Sequence, residues 1–526
     1  MDSSVSVIQT IMTKLRRRGS DEAVSVPHER LDNDNNTLDT WSPDATYTID
    51  EAMEKIGFGR FQMKVSAFCG LAWIADSMEV MALSILGPTL TCEWRLNSTQ
   101  EALITTVVFV GYLFGSPIFG YIGDTYGRRT SLTMSAAWAV YYGLLSTLSP
   151  RYAWLLILRG LLGVGVGGVP QAVTYASEFL PNKIRGQCIL ALEFFWAFGA
   201  LFEVLLAMWL LQSYGWHWWL AASALPLVVF LSMTSFFPES PRYQIVRGEV
   251  DKAEATIIKI AKENKATLPR GRLRGESHLE RGKFTDLFLP HYRWTTLLLW
   301  IIWFATGFSY YGIVLMSTEI INSEISCLSD GLQMDTCSEQ CKMLTTGDYV
   351  KLLWTSFAEL PGLLMTMLLI DRIGRRMCMY LEYFAYAVCC FLLFICTGNV
   401  GLVILLFCAR ALISAAFQVV YVYTPEVYPT TIRAMALGSC SCVSRFGCII
   451  TPFVANVLLR VSLYSAVGVY AIFGIVAGIA AFLLPIETKG RSLQVVRCRA
   501  AIYRRVTFNP GDVYVHASLK YNIWLQ

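Results

Sequence analysis

The chain has 526 residues, of which 55% are hydrophobic and 16% charged, and its mean hydropathy is +0.47. Soluble domains carry roughly 25% charged residues, so this composition argues against a water-soluble globule and for a membrane protein. The formal net charge of +4 gives no reason to invoke a nucleic-acid partner.

Residues 1–64 read as a cytoplasmic N-terminal segment. Its first 45 residues mix a basic cluster, Lys14 to Arg18, with the polar run Asp32-Asn-Asp-Asn-Asn-Thr37, and lack the apolar residues for a core. A short helix is predicted near 50–56. The first 60 residues are too polar for a cleavable signal peptide, so the first span is expected to serve as the insertion signal. A bilayer-crossing helix needs about 20 mostly apolar residues. That template finds twelve runs, at roughly 66–90, 100–123, 131–149, 152–176, 189–211, 217–237, 294–317, 347–370, 377–397, 400–424, 435–459 and 463–485. The expected fold is therefore an all-α membrane protein of twelve transmembrane helices. Six form a bundle over 65–237 and six over 294–485, with a cytoplasmic linker over 238–293 and a cytoplasmic tail over 486–526. The linker reads as a solvated connection with a helix near 249–264 and a basic patch from Arg270 to Arg274; a lipid-headgroup contact is the less favoured role.

Three landmarks occur twice, in the same order. The first set is Gly120-Tyr-Ile-Gly-Asp124-Thr-Tyr-Gly-Arg128-Arg129, then Glu178-Phe-Leu-Pro-Asn-Lys-Ile-Arg185, then Pro238-Glu-Ser-Pro-Arg242. The second is Asp371-Arg-Ile-Gly-Arg375-Arg376, then Glu426-Val-Tyr-Pro-Thr-Thr-Ile-Arg433, then Pro485-Ile-Glu487-Thr-Lys-Gly-Arg491. Asp124 to Glu178 spans 54 positions and Asp371 to Glu426 spans 55; the next intervals are 60 and 59. Such register describes two copies of one six-helix unit, and two like-oriented repeats around a central path describe a secondary transporter.

Lys and Arg set the orientation. One side holds Arg16–Arg18, Arg128, Arg129, Lys183, Arg185, Arg372, Arg375, Arg376, Arg433 and Arg497–Arg505, whereas the other holds little beyond Arg95, Arg151, Lys342 and Arg460. The positive-inside rule then puts both termini in the cytoplasm. Of the fifteen cysteines, Cys92, Cys327, Cys337 and Cys341 fall outside, where one or two disulfides of undetermined pairing are expected. Asn97-Ser-Thr99 is a glycosylation sequon on that outer side, while Asn35-Asn-Thr37 faces the cytoplasm.

One pattern misleads. Gly163-Val-Gly165-Val-Gly-Gly168 matches a dinucleotide fingerprint, but it sits inside an apolar run with no preceding strand, where small residues let helices approach closely. No phosphate-binding G-x-x-x-x-G-K-[ST] loop is present, and the five histidines suggest neither a metal site nor a proton relay. No cofactor is called for, and the chain reads as a carrier and not an enzyme.

The Gly120–Arg129 segment resembles the loop signature of the major facilitator superfamily, and the likeness extends over roughly residues 60–490. Pro238-Glu-Ser-Pro-Arg242 and Pro485-Ile-Glu-Thr-Lys-Gly490 look like its sugar and organic-ion branch. Thr48-Ile-Asp-Glu-Ala-Met-Glu-Lys-Ile-Gly-Phe-Gly-Arg-Phe-Gln62, followed by Ala75-Asp-Ser-Met-Glu-Val80, resembles the synaptic vesicle 2-related group. That resemblance implies alternating access in a plasma or intracellular vesicle membrane; substrates in the group are poorly assigned.

Two sets of residues carry the expected chemistry. At the cytoplasmic face Asp124, Arg128 and Glu178 are expected to pair, and Asp371, Arg375 and Glu426 to repeat the arrangement, as gates that hold the outward-open state. Positive-inside anchoring is their plainer role. Within the spans, Asp76 and Glu79 are three apart in the first helix, with Trp73 a turn before. Carboxylates inside a span are costly unless they face a cavity or a partner, so the pair marks a substrate or proton site. Glu193, Glu203, Glu359 and Glu382 extend the acids, and Arg159, Arg410 and Arg445 supply counter-charges, with Asp76 expected opposite Arg159. The seventh span lacks an acid at depth and offers Trp300, Trp303, Phe304, Phe308, Tyr310 and Tyr311 instead.

Carboxylates beside aromatic rings suit an organic cation. Arg445 argues for an anion, since Ser444-Arg-Phe-Gly-Cys-Ile-Ile-Thr-Pro452 looks like the helix 11 motif of organic anion transporters, which binds carboxylates. Both signs together suit a zwitterion, or a proton on the acids with an anion on the arginine. A membrane protein that senses a ligand or binds partners on a transporter scaffold is the alternative reading.

Overall fold

The computed structural model describes residues 46–275, 283–323, 344–395 and 398–489. Ten helices among them are long and apolar enough to cross a bilayer: Arg60–Trp94, Ser98–Tyr126, Tyr152–Ser177, Arg185–Tyr214, Trp216–Phe236, Arg293–Ile321, Thr346–Ile373, Val400–Val427, Ile432–Val461 and Leu463–Leu483. Two further helices, Arg128–Ser146 and Arg375–Leu392, complete twelve spans in the third and ninth places. Each begins with an arginine pair, and polar residues such as Ser131, Ser135 and Glu382 dilute its hydropathy.

Helix packing repeats the duplication. In the N-terminal half span one packs on five, two on four, three on four, and one on six; in the C-terminal half seven packs on eleven, eight on ten, nine on ten, and seven on twelve. The halves meet where span two lies on eleven and span five on eight. The glycines of the misleading motif form a seam: a Cβ at Gly163 would strike the backbone of Val108, and one at Gly111 the backbone of Gly160. Spans two and four thus touch backbone to backbone, which only small residues allow.

The first span runs longer than its apolar stretch, from Arg60, because Gln62 accepts the backbone N–H of Gly59 (3.2 Å) and caps the helix. The seventh continues to Ser323, which brings Glu319 into that helix near its end. The linker's expected helix is present, at Val250–Asn264, but the linker is folded against residues 46–62 and not simply solvated. Helices Ile49–Ile56, Pro241–Val246 and Val250–Asn264 pack together, and Thr46–Tyr47 pairs in parallel with Arg272–Leu273. Asn264 bonds both Gln62 (2.6 Å) and the backbone N–H of Phe61 (2.9 Å), and Arg272 and Leu273 of the predicted basic patch form a strand. Residues 1–45, Cys327, Cys337, Cys341 and the tail beyond 489 lie outside the described residues. Cys92 is disulfide-bonded.

Candidate functional site

At one end of the molecule the three landmarks of each half converge. Gly127 at φ +111° and Gly374 at φ +101° make the turns between spans two and three and between eight and nine, a backbone region closed to most side chains. Those turns set Arg128 2.5 Å from Asp124 and 3.1 Å from Glu178, and Arg375 3.0 Å from Asp371 and 3.2 Å from Glu426. All six expected residues therefore meet, as two triads, and each of these bonds stays within one half.

The third landmark joins them in a way the sequence reading missed. The Glu239 carboxylate accepts the backbone N–H groups of Arg129 (3.2 Å) and Ser240 (2.9 Å), and Glu487 accepts those of Arg375 (3.0 Å) and Arg376 (3.2 Å). Each acid caps the positive N-terminus of a helix. Burial pushes the Glu239 carboxyl above its ordinary value, with these N–H groups opposing. Tyr175 and Tyr423 tie the same loops by donating to the carbonyls of Pro238 (2.5 Å) and Ile486 (2.6 Å). The signal was present in the sequence as matching carboxylates at the second and third positions of the two Pro-rich landmarks.

Deep in the spans the charges sort into three groups. Arg159 lies 2.5 Å from Glu79, facing a cavity inside the N-terminal half that Asp76 and Ser223 also line. Ser223 donates to Glu203 (2.8 Å) beside them. Arg410 lies 2.9 Å from Glu359, both fully buried, and Tyr310 donates to the same carboxylate (3.0 Å). Glu382 sits apart, bonded by Thr366 (3.0 Å) and Cys378 (3.3 Å).

The third group surrounds a second cavity between the halves, lined by Trp73, Asp76, Glu193, Trp196, Tyr310, Tyr311, Phe417, Gln418, Tyr421 and Arg445. Glu193 accepts from Trp73 (3.2 Å) and Gln418 (2.9 Å), and Asp76 accepts from Tyr112. The Arg445 guanidinium stacks 4.0 Å from the Tyr112 ring centre and reaches Tyr311 at 3.5 Å. Among the described residues none of Asp76, Glu193 and Arg445 has an ion-pair partner within salt-bridge distance; one oxygen of Asp76 and the Nε of Arg445 have no hydrogen-bond partner. The expected pairing of Asp76 with Arg159 is thus corrected: Glu79 holds Arg159. Three residues along a helix leave a rotation of about 60°, enough to aim Asp76 at span two and Glu79 at span four. The expected acid-free seventh span contributes Tyr310 and Tyr311 here, and Glu319 only near its end.

Asn97 is exposed at the end opposite the triads, where it caps span two by accepting the N–H of Gln100 (2.8 Å).

Two six-helix repeats, with a polar cavity at their interface and a charged knot at one end of each, define a membrane transporter scaffold. Residues 77–497 match the family described as sugar (and other) transporter, and the chain belongs to that family, within the major facilitator superfamily. It is 52% identical over 454 residues to the synaptic vesicle 2-related protein of Rattus norvegicus, covering 86% of this chain and 83% of that one. The Xenopus laevis protein of the same name is 50% identical with the same coverage. Among solved structures, a partially occluded inward-open form of the xylose transporter XylE from E. coli aligns with a TM-score of 0.62 at 16% identity, covering 82% of this chain and all of that one. That likeness is one of fold.

Proposed function

We propose that the chain is a secondary active transporter of a small organic ion, working by alternating access, with the cavity between the halves as its binding site. One observation carries the reading: two carboxylates and an arginine, none of them ion-paired, face one aromatic-walled cavity. Unpaired charges inside a span are costly and mark substrate or ion pathways. Trp73, Trp196, Tyr310 and Tyr421 favour an ammonium group near Glu193, and Arg445 favours a carboxylate. An organic zwitterion satisfies both. Asp76 lines both cavities, so it is the residue best placed to link ligand to a proton exchanged through the Glu79–Arg159 side.

The triads are proposed as gates. Arg185, which closes the second landmark of the first half, is perturbed chiefly by burial and by its neighbours Arg242 and Asp50, and less by its counterpart Arg433 across the interface. Each triad ties one half together, so the triads would hold their own halves rigid while that end opens. Under the positive-inside assignment the triad end is cytoplasmic and Asn97 carries glycan; the relatives' name points to a vesicle membrane.

Uptake by proteoliposomes tests the reading. A series of trimethylammonio carboxylates of increasing chain length is compared with its methyl esters, which are cations, and with its tert-butyl carbon isosteres, which are anions. The zwitterions are expected to be taken up best, and Arg445→Gln to move preference toward the esters by roughly 10- to 100-fold, the worth of a charge-assisted hydrogen bond. Binding without passage would leave a ligand sensor, and preference for an ester or anion in the unaltered protein would remove the zwitterion.

A further inference from the structure

The end opposite the triads holds a charge cluster that the proposed binding site does not use. Span eleven ends its α-helix at Pro452, continues as a π-helical segment, Phe453–Leu458, and finishes with Leu459–Val461. Proline removes a helical hydrogen bond, and the wider π turn changes the direction in which later side chains leave the helix. Arg460 thereby reaches two other spans. Its Nη2 lies 2.6 Å from Glu101 in span two and 2.9 Å from Glu319 in span seven, and its Nε donates to Glu319 at 3.0 Å. Glu101 belongs to the N-terminal half, Glu319 and Arg460 to the C-terminal half. One arginine therefore serves a carboxylate from each side of the seam.

Around it the seam is shut. The Thr106 hydroxyl of span two donates to the backbone oxygen of Ile449 (3.3 Å), and Phe109 packs edge-on against Tyr311. The Glu101 side chain is 1% exposed and lies against Gly87 of span one, whereas that of Arg460 is 32% exposed.

We propose that Arg460 is the positioning residue that latches this end: Glu101 holds it across the seam when the end is closed, and Glu319 retains it when the halves part. The latch depends on alternating access but not on any substrate class. A buried carboxylate needs a partner, while the same group in water does not. Opening therefore breaks one contact, hydrates Glu101 and leaves the arginine paired. The two glutamates must then act with opposite sign. Neutralising Glu101 weakens only the closed state. Neutralising Glu319 removes the carboxylate that stays with the arginine in the open state, while Glu101 still serves it in the closed one. A merely structural network would lose stability with either change and favour neither state.

Labelling of Thr106→Cys decides the matter, in a background lacking other reactive cysteines. Nanodiscs let a charged methanethiosulfonate reach both faces, so membrane orientation does not enter. Glu101→Gln and Arg460→Gln are expected to speed labelling about three- to tenfold, and Glu319→Gln to slow it by a similar factor. Unchanged rates, or a shift in the same direction for the two glutamate variants, overturn the latch. Should Glu101→Gln fail to give monodisperse protein, Arg460→Gln against Glu319→Gln carries the same opposition. Because labelling needs no substrate, its result stands whether or not the transport assay succeeds.

Discussion

Arg128 and Arg375 do the same work in the two halves, whereas Arg159 and Arg410 do not. Each of the first pair follows a positive-φ glycine, joins an aspartate four residues back, and meets a glutamate at the end of span four or ten. A second glutamate then caps its helix in both halves. Inside, Arg159 pairs with an acid from span one beside a cavity, but Arg410 pairs with an acid from span eight in full burial. Duplication has kept the charged ends alike and let the interiors diverge. Rigid-body motion asks for matching ends, while a ligand or a proton asks for one site and not two.

Breaking the buried pair gives the largest expected effect. Arg410→Gln leaves Glu359 uncompensated and is expected to cost about 3–5 kcal/mol, read as a collapse in folded yield and melting temperature. Adding Glu359→Gln should recover most of that loss. If Arg410→Gln were instead well folded and merely altered in transport, the contrast between the two interiors would fail.

Glu79→Gln is expected to differ in kind. Its partner opens on a cavity, so the protein should fold, exchange ligand across the membrane and fail to accumulate it against a gradient. Asp76→Asn should behave likewise if Asp76 carries the proton, and should abolish binding if it only holds the ligand's ammonium.

The matched ends predict matched numbers. Glu239→Gln and Glu487→Gln each replace a charged helix cap and are expected to cost about 1 kcal/mol apiece in thermal unfolding. A loss confined to one half would show that the knots are alike in geometry only.

The smallest effect lies at the chain start. A hydrogen bond from Lys183 holds the Glu54 carboxyl below its ordinary value, at 2.9 Å. A depressed carboxyl contributes stability above the unfolded value and loses it as pH falls through the folded one. Hydrogen-exchange protection factors in Ile49–Ile56, which are corrected for the intrinsic pH dependence of amide exchange, are therefore expected to fall slightly between pH 5 and pH 3, and less so in Glu54→Gln.

The twelve spans, the duplication and both triads were legible because apolar run length and repeated charged breaks are local signals. Partner choice in the interior was not. Asp76 and Glu79 share a helix face in outline, yet which arginine each meets depends on a rotation of about 60° and on neighbours far away in sequence. Tyr112, Gln418 and the Arg460 cluster escaped notice for the same reason: a tyrosine or glutamine in a span, or an arginine at its end, gains meaning only beside its neighbours. The linker was misjudged because its charge count suggested solvation, while Asn264 and Leu273 had partners some 200 residues earlier.

That last contact bears on how the protein is made. Thr46 pairs with Arg272, 226 residues later, so this strand leaves the ribosome early and waits for the linker before it can dock. At synthesis rates of about 5–20 residues per second the wait is roughly 10–45 s. All six helices of the first bundle are translated in that interval. The strand pair therefore completes only on a fully translated half, and chains truncated before residue 272 should expose Ile49–Ile56 to proteolysis and be cleared by quality control.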